Sequence, residues 1–243
     1  MGEWAYMSDN KKKRILLKLS GEALKCGKED IYDIDFVDSV ARALVQCVSE
    51  GYEIAVVLGA GNIWRGRAGG DMDRTNADRM GMLATVINCI CMKDALVRAG
   101  VDATVMTAVP MIPFAENYRA EDAVKYLEEG SIVVFGAGLG IPFLSTDTTG
   151  AVRAAEIGAD AMLMAKNVDY IYTADPKKDP TAKKIEVISA SEVLALNLKA
   201  LDATATAFCL SNGMPIRVFG LKDAADIVKA VKGELVGTIV TPD

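Results

Sequence analysis

The stretch IAVVLGAGNIWRG spans Ile54–Gly66: an unbroken apolar run, a Gly-Ala-Gly turn, then a tryptophan and an arginine. Apolar runs without polar alternation suit strands buried on both faces of a parallel sheet. A glycine turn directly after such a strand leaves backbone amides able to bind an anion. The run has an echo, since VVLGAG at Val56–Gly61 returns as VVFGAG at Val133–Gly138. Two equivalent turns in one sheet imply two polyanionic ligands, or two ends of one. The first turn is not a dinucleotide fingerprint. Trp64 stands where the third glycine of that pattern belongs, and no clear strand-end acid follows, Asp78 lying at a predicted helix start.

Working outward, short β-rich runs alternate with helical periodicity along most of the chain. Strands are predicted at Ile15–Leu19, Glu53–Leu58, Ala103–Met106, Ile132–Phe135, Ala161–Ala165, Ile216–Phe219 and Thr238–Val240. Helices are predicted at Asp35–Glu50, Asn76–Ala99, Ala120–Glu129, Thr148–Ile157, Ser191–Leu196, Ala203–Leu210 and Ala224–Val231. The alternation makes the fold α/β with a mainly parallel sheet. Asn167–Ile185 is the longest polar break, a candidate change from one half to the other.

Composition narrows the chemistry. The 243 residues contain no histidine, which removes imidazole acid–base catalysis, His-based triads and His metal sites. The net charge of −6 and the scatter of lysines and arginines give no nucleic-acid surface. The run Lys11–Arg14 reads as a solvated approach to a strand. No apolar run reaches the roughly 18 residues that span a bilayer, and the N-terminus shows no export signal. Five cysteines without framework spacing fit reduced thiols in a cytoplasmic protein, with Cys89 and Cys91 on different helix faces.

In open parallel sheets ligands collect at the carboxyl ends of the strands, so the loops there carry the functional reading. Lys18 ends the first apolar run and is followed by Ser20 and Gly21, a placement suited to phosphate. The nearby Gly21–Lys28 fails the P-loop pattern in its spacing, and Glu29 stands where Ser or Thr is required. Arg65 adds a bidentate phosphate donor. After the second glycine turn, Thr146, Asp147 and Thr148 are expected as cap and first-turn groups of a helix. Lys166 follows another buried run, with Asp169, Tyr172 and Asp175 beyond it, and Asp202 reads as an N-cap. Strand-end lysines, an arginine, glycine turns and carboxylates together suit phosphoryl transfer, which needs positioning and charge neutralisation.

The succession KLSGEAL (Lys18–Leu24), GAGNIWRG (Gly59–Gly66), ADRMGMLAT (Ala77–Thr85), GLGIPFLSTDT (Gly138–Thr148), VDYIYTADP (Val168–Pro176) and PIRVF (Pro215–Phe219) closely resembles the bacterial uridylate kinases. Those enzymes lie in the amino acid kinase (carbamate kinase-like) superfamily. The resemblance runs from about Lys12 to Thr238. It implies a three-layer αβα sandwich forming one domain over residues 12–243, with an acceptor half to about 160 and an ATP half beyond. Residues 1–11 match none of it and are expected to be disordered.

The resemblance also implies transfer of the ATP γ-phosphoryl group to UMP with Mg²⁺. The implied catalytic set is Lys18, Arg65, Lys166, Asp147 and Asp202. UMP is expected at Ala60, Asp78, Leu139, Gly140, Ile141, Pro142, Phe143, Leu144, Ser145 and Thr146. ATP is expected at Lys18, Leu19, Ser20, Gly21, Gly61, Arg65, Lys166, Tyr172 and Asp175. Mg²⁺ is expected to ride largely on the ATP phosphates, with no protein ligand set assigned. The family further implies a cytoplasmic homohexamer activated by GTP and inhibited by UTP.

Some positions depart from the family pattern: Ala60, Leu139 and Ile141 in the acceptor loops, and Tyr170 where glycine is common. Lys166-Asn-Val168 aligns in either of two registers. An amino acid or carbamate kinase of the same superfamily, or a non-catalytic nucleotide sensor, remains open at this point. Asp78 favours a nucleotide, because a ribose diol pairs with a carboxylate that would repel an anionic amino acid.

Overall fold

A computed structural model describes residues 13–65, 70–176, 178–198 and 200–243. The expectation of disorder over residues 1–11 lies outside the described residues.

The elements follow in the order β1 (Arg14–Leu19), α1 (Ile34–Ser49), β2 (Glu53–Leu58), α2 (Arg74–Arg98), β3 (Ala103–Thr107), β4 (Glu116–Asn117), α3 (Ala120–Glu128), β5 (Ile132–Gly136) and α4 (Thr146–Glu156). Then come β6 (Ala161–Lys166), β7 (Ile171–Tyr172), β8 (Lys184–Ile185), β9 (Val187–Ser189), α5 (Ala190–Ala195), α6 (Ala203–Ser211), β10 (Ile216–Gly220), α7 (Ala225–Lys232) and β11 (Thr238–Thr241). Nine strands form one sheet in the order β4-β3-β5-β2-β1-β6-β10-β11-β9, while β7 and β8 pair separately. Every neighbour in the large sheet is parallel except β10 with β11.

Alternation along β1 sorts its side chains into two cores. Ile15, Leu17 and Leu19 face the layer holding α1, α2 and α7, whereas Leu16 faces the layer holding α3 to α6. The result is a three-layer αβα sandwich, as the resemblance implied. Burying each such leucine contributes roughly 1.5–3 kcal/mol, so the whole of β1, buried at all six positions, anchors the sheet. Lys18 shares the face of Leu16 and therefore points toward α4, which crosses over from β5 to β6 and packs on β1.

Two expectations change. Arg14 is not part of a solvated approach. Its guanidinium is buried, donates to Glu53 Oε2 at 2.7 Å and to the Ile157 carbonyl, and so joins the base of β1 to its neighbours. Lys11 and Lys12 lie outside the described residues. Helix α2 is long and apolar enough, by length and composition alone, to cross a membrane. Its inner face (Cys89, Met92, Leu96) instead packs in the core, and the polar Asn88 is buried there too. Cys89 is buried and Cys91 only half-buried, on different faces as read from the sequence. All five cysteines are unpaired.

Candidate active site

The C-terminal ends of β1, β2, β5 and β6 deliver their loops to one edge of the sheet. The first glycine turn and the β1 loop meet there at very short range. A Cβ on Gly21 would stand 2.6 Å from the Gly61 nitrogen and 2.7 Å from the Gly59 carbonyl oxygen, so only glycine lets the two backbones pass. Ser20 caps a short 3₁₀ helix over Gly21–Lys25, accepting from the Ala23 amide. The Leu19 side chain lies in the core under α1, which leaves only its main chain near the loop, where the carbonyl accepts from the Gly59 amide.

Beneath this edge, Lys18 and Lys166 converge on one carboxylate. Lys18 Nζ lies 2.8 Å from Asp147 Oδ1 and Lys166 Nζ lies 2.5 Å from Asp147 Oδ2. Lys166 ends β6, on the same face as Met164. Lys18 is 5% exposed and Asp147 7%. Burial pushes the Lys18 ammonium below the ordinary lysine range, Asp147 opposes that shift, and the neighbouring Lys166 adds to it. Burial alone would raise the Asp147 carboxyl, but the two ammonium groups outweigh it and hold it below its usual range.

Asp147 reaches the lysines because Ser145, rather than Thr146, Asp147 or Thr148, caps α4, accepting from the Thr148 amide at 3.1 Å. The predicted cap therefore moves back by at least one residue, and Asp147 becomes a first-turn group. An anion there is favoured by the helix dipole, and an incoming phosphate would profit from the same field. Asp202 is the N-cap of α6, accepting from the Ala205 amide at 2.9 Å and from the Thr148 hydroxyl at 3.2 Å.

The start of α4 divides two concavities. Thr146 faces a cleft that also takes in Ala60, Gly61, Asp78, Leu139, Ile141 and Leu144. Asp147 faces a second cavity, of about 330 Å³, together with Lys166, Asp202 and Thr206. That cavity shares Asn197, Leu198 and Ala200 with a third cleft, where Tyr170, Tyr172 and Asp175 lie. Together the two form a trough from Lys166 toward the β7–β8 loops.

 

Several predicted residues are already engaged. The Arg65 side chain, 64% exposed, pairs with Glu22 Oε1 at 2.6 Å. Asp78 accepts from Arg74 Nε through both carboxylate oxygens, each at 2.9 Å, and from the Phe143 amide at 2.8 Å. It thereby ties α2 to the second glycine loop. In that loop Gly140 and Phe143 both adopt left-handed backbone, Arg74 lies over the Phe143 ring, and Pro142 is half-buried. Tyr172 donates to Asp169 at 2.8 Å, and Lys184 reaches the other Asp169 oxygen.

The sequence reading missed Glu22, Thr85 and Asn88. Asn88 is fully buried, donates to the Gly59 carbonyl at 2.7 Å and exchanges hydrogen bonds with Asn62. The available signal was a polar residue inside the apolar run ATVINCICM of a core helix, because a buried amide must find partners.

The sequence pattern that defines the amino acid kinase family matches residues 13–220. The solved structure of the UMP kinase from Bacillus anthracis superposes with a TM-score of 0.91 at 34% identity, covering 95% of this chain and 96% of that one. The UMP kinase from Ureaplasma parvum gives 0.89 at 36% identity, covering 96% of this chain and 100% of that one. The uridylate kinase from Archaeoglobus fulgidus, at 24% identity and a TM-score of 0.71 over 93% of this chain and 99% of that one, shares the fold. The chain belongs to the amino acid kinase family.

Proposed function

We propose that this chain transfers the γ-phosphoryl group of ATP to UMP, giving UDP and ADP. The observation that carries the reading is the convergence of Lys18 and Lys166 on Asp147, where the two concavities meet. The two UMP kinases similar over nearly the whole chain support the choice of acceptor. A phosphate oxygen of UMP attacks the γ-phosphorus while the bond to the β,γ-bridging oxygen breaks. A phosphate monoester, with a second pKa of about 6, is already an anion at neutral pH and needs no general base. That fits a chain without histidine. Lys18 and Lys166 neutralise charge on the transferring group, and Asp147 holds both ammonium groups in place.

The acceptor half, to about residue 160, is supported by the cleft between Ala60 and Thr149, and the ATP half by the trough toward Tyr172 and Asp175. Mg²⁺ would be carried largely by the ATP phosphates with its own waters, Asp147 and Asp202 being the carboxylates that face the cavity beside Lys166. The ion would neutralise phosphate charge.

Homo-oligomer formation is supported by an exposed apolar row on α2, formed by Met80, Leu83, Ile87, Ile90 and Val97. A hexamer, GTP activation, UTP inhibition and a cytoplasmic location rest on the family resemblance.

Release of ADP in the presence of UMP, CMP, glutamate, aspartate or carbamate tests the reading. Turnover with UMP well above the others is expected; turnover with an amino acid and none with UMP would contradict it. A second test follows from the lowered Lys18 value. The ammonium is the working form, so kcat should fall as pH rises, at a pH below the ordinary lysine range. Lys18→Arg should move that limb to higher pH, and an unmoved limb would exclude Lys18 as its source.

A further inference from the structure

Helix α2 touches both glycine loops at four points. On the first loop, Trp64 Nε1 donates to the Ala77 carbonyl at 2.8 Å and the Gly59 carbonyl accepts from Asn88 at 2.7 Å. On the second, the Phe143 amide donates to Asp78 at 2.8 Å and the Ala137 amide donates to the Thr85 hydroxyl at 2.9 Å. At 1.5 Å of rise per residue the two first-loop points are roughly 16 Å apart along the helix and the two second-loop points roughly 10 Å. Each loop is pinned twice, and one rigid element carries all four pins.

The inner pins are the buried ones. Thr85 is 3% exposed, and its hydroxyl donates to the Met82 carbonyl while accepting from Ala137, so its orientation is fixed. Ala137 is a buried alanine at φ 60, followed by Gly138 at φ 59, a left-handed pair that alanine adopts only when held. Asn88 is saturated in the same way, donating to Gly59 and Asn62 and accepting from Tyr32 and Asn62.

We propose that Thr85 and Asn88 are positioning residues that set the spacing between the two glycine turns, with α2 as the frame. The kinetic part of the test rests on the proposed UMP kinase reading. Thr85→Val keeps the shape and removes the acceptor for the Ala137 amide. It should raise the KM for UMP roughly tenfold, with the KM for ATP within twofold, since misplacing one wall weakens only what that wall holds. Thr85→Ser restores the hydroxyl and should restore the KM, whereas lost stability alone would lower the active fraction and leave KM unmoved. Asn88→Leu should lower kcat by a similar factor.

Amide exchange of Ala137 in the unliganded protein supplies a readout independent of turnover. Exchange should accelerate in Thr85→Val and stay slow in wild type and Thr85→Ser. Should Thr85→Val not fold, Thr85→Ala takes its place. If wild type fails to phosphorylate UMP, the functional reading falls while the exchange comparison still decides the positioning role. Unchanged exchange, or KM and kcat within twofold in both folded variants, would overturn the proposal.

Discussion

Lys18→Ala is expected to lower kcat by on the order of 10²–10⁴-fold, the range for removing a preorganised charge from a developing oxyanion. The ammonium is buried, points at Asp147 from the end of β1, and sits on the face that α4 covers. Water cannot readily replace it there. Lys166 still pairs with Asp147 in the variant, so the carboxylate is not stranded and the fold should survive. The effect should therefore fall on kcat more than on either KM. Steady-state kinetics beside a thermal melt check this, and a folded variant with kcat within threefold of wild type would remove Lys18 from the reaction.

Asp147→Asn should produce the largest loss of stability. Without the carboxylate, two ammonium groups face each other in a buried site, and breaking such an arrangement costs about 3–5 kcal/mol. For a chain of this length that lowers Tm by on the order of 10 °C. The pH dependence has a definite sign. The folded Asp147 carboxyl lies below its usual range, so its stabilisation is complete above the unfolded value and is lost as pH falls through the folded one. The gap between wild type and variant should be constant near neutrality and close in acid. Adding Lys166→Met should recover part of the loss, as coupled neighbours do. A Tm within about 2 °C of wild type at neutral pH would contradict the ion triad.

The central strands were legible because they are apolar runs buried on both faces, as Glu53–Leu58 is at every position. The short β4, β7, β8 and β9 were not, since two or three residues carry no period. Lys18, Lys166 and Asp147 announced themselves as charges beside buried strands or a helix start. Their convergence did not, because it depends on the crossover that lays α4 over β1. Leu19 illustrates the converse: it is adjacent to the site in sequence, yet strand alternation sends its side chain into the opposite core. Arg14 looked solvated because its partners, Glu53 and the Ile157 carbonyl, are remote in sequence. Thr85 and Asn88 were hidden by helical context, where polar residues gain meaning only from what the other loops bring to them.

The most direct measurement follows the phosphorus itself. With γ-³²P-labelled ATP and unlabelled UMP, label should pass to the β-phosphate of UDP in step with ADP formation, and Lys18→Ala should slow both by the same factor. Label released as inorganic phosphate at the same rate with and without UMP would contradict a site built to join two nucleotides.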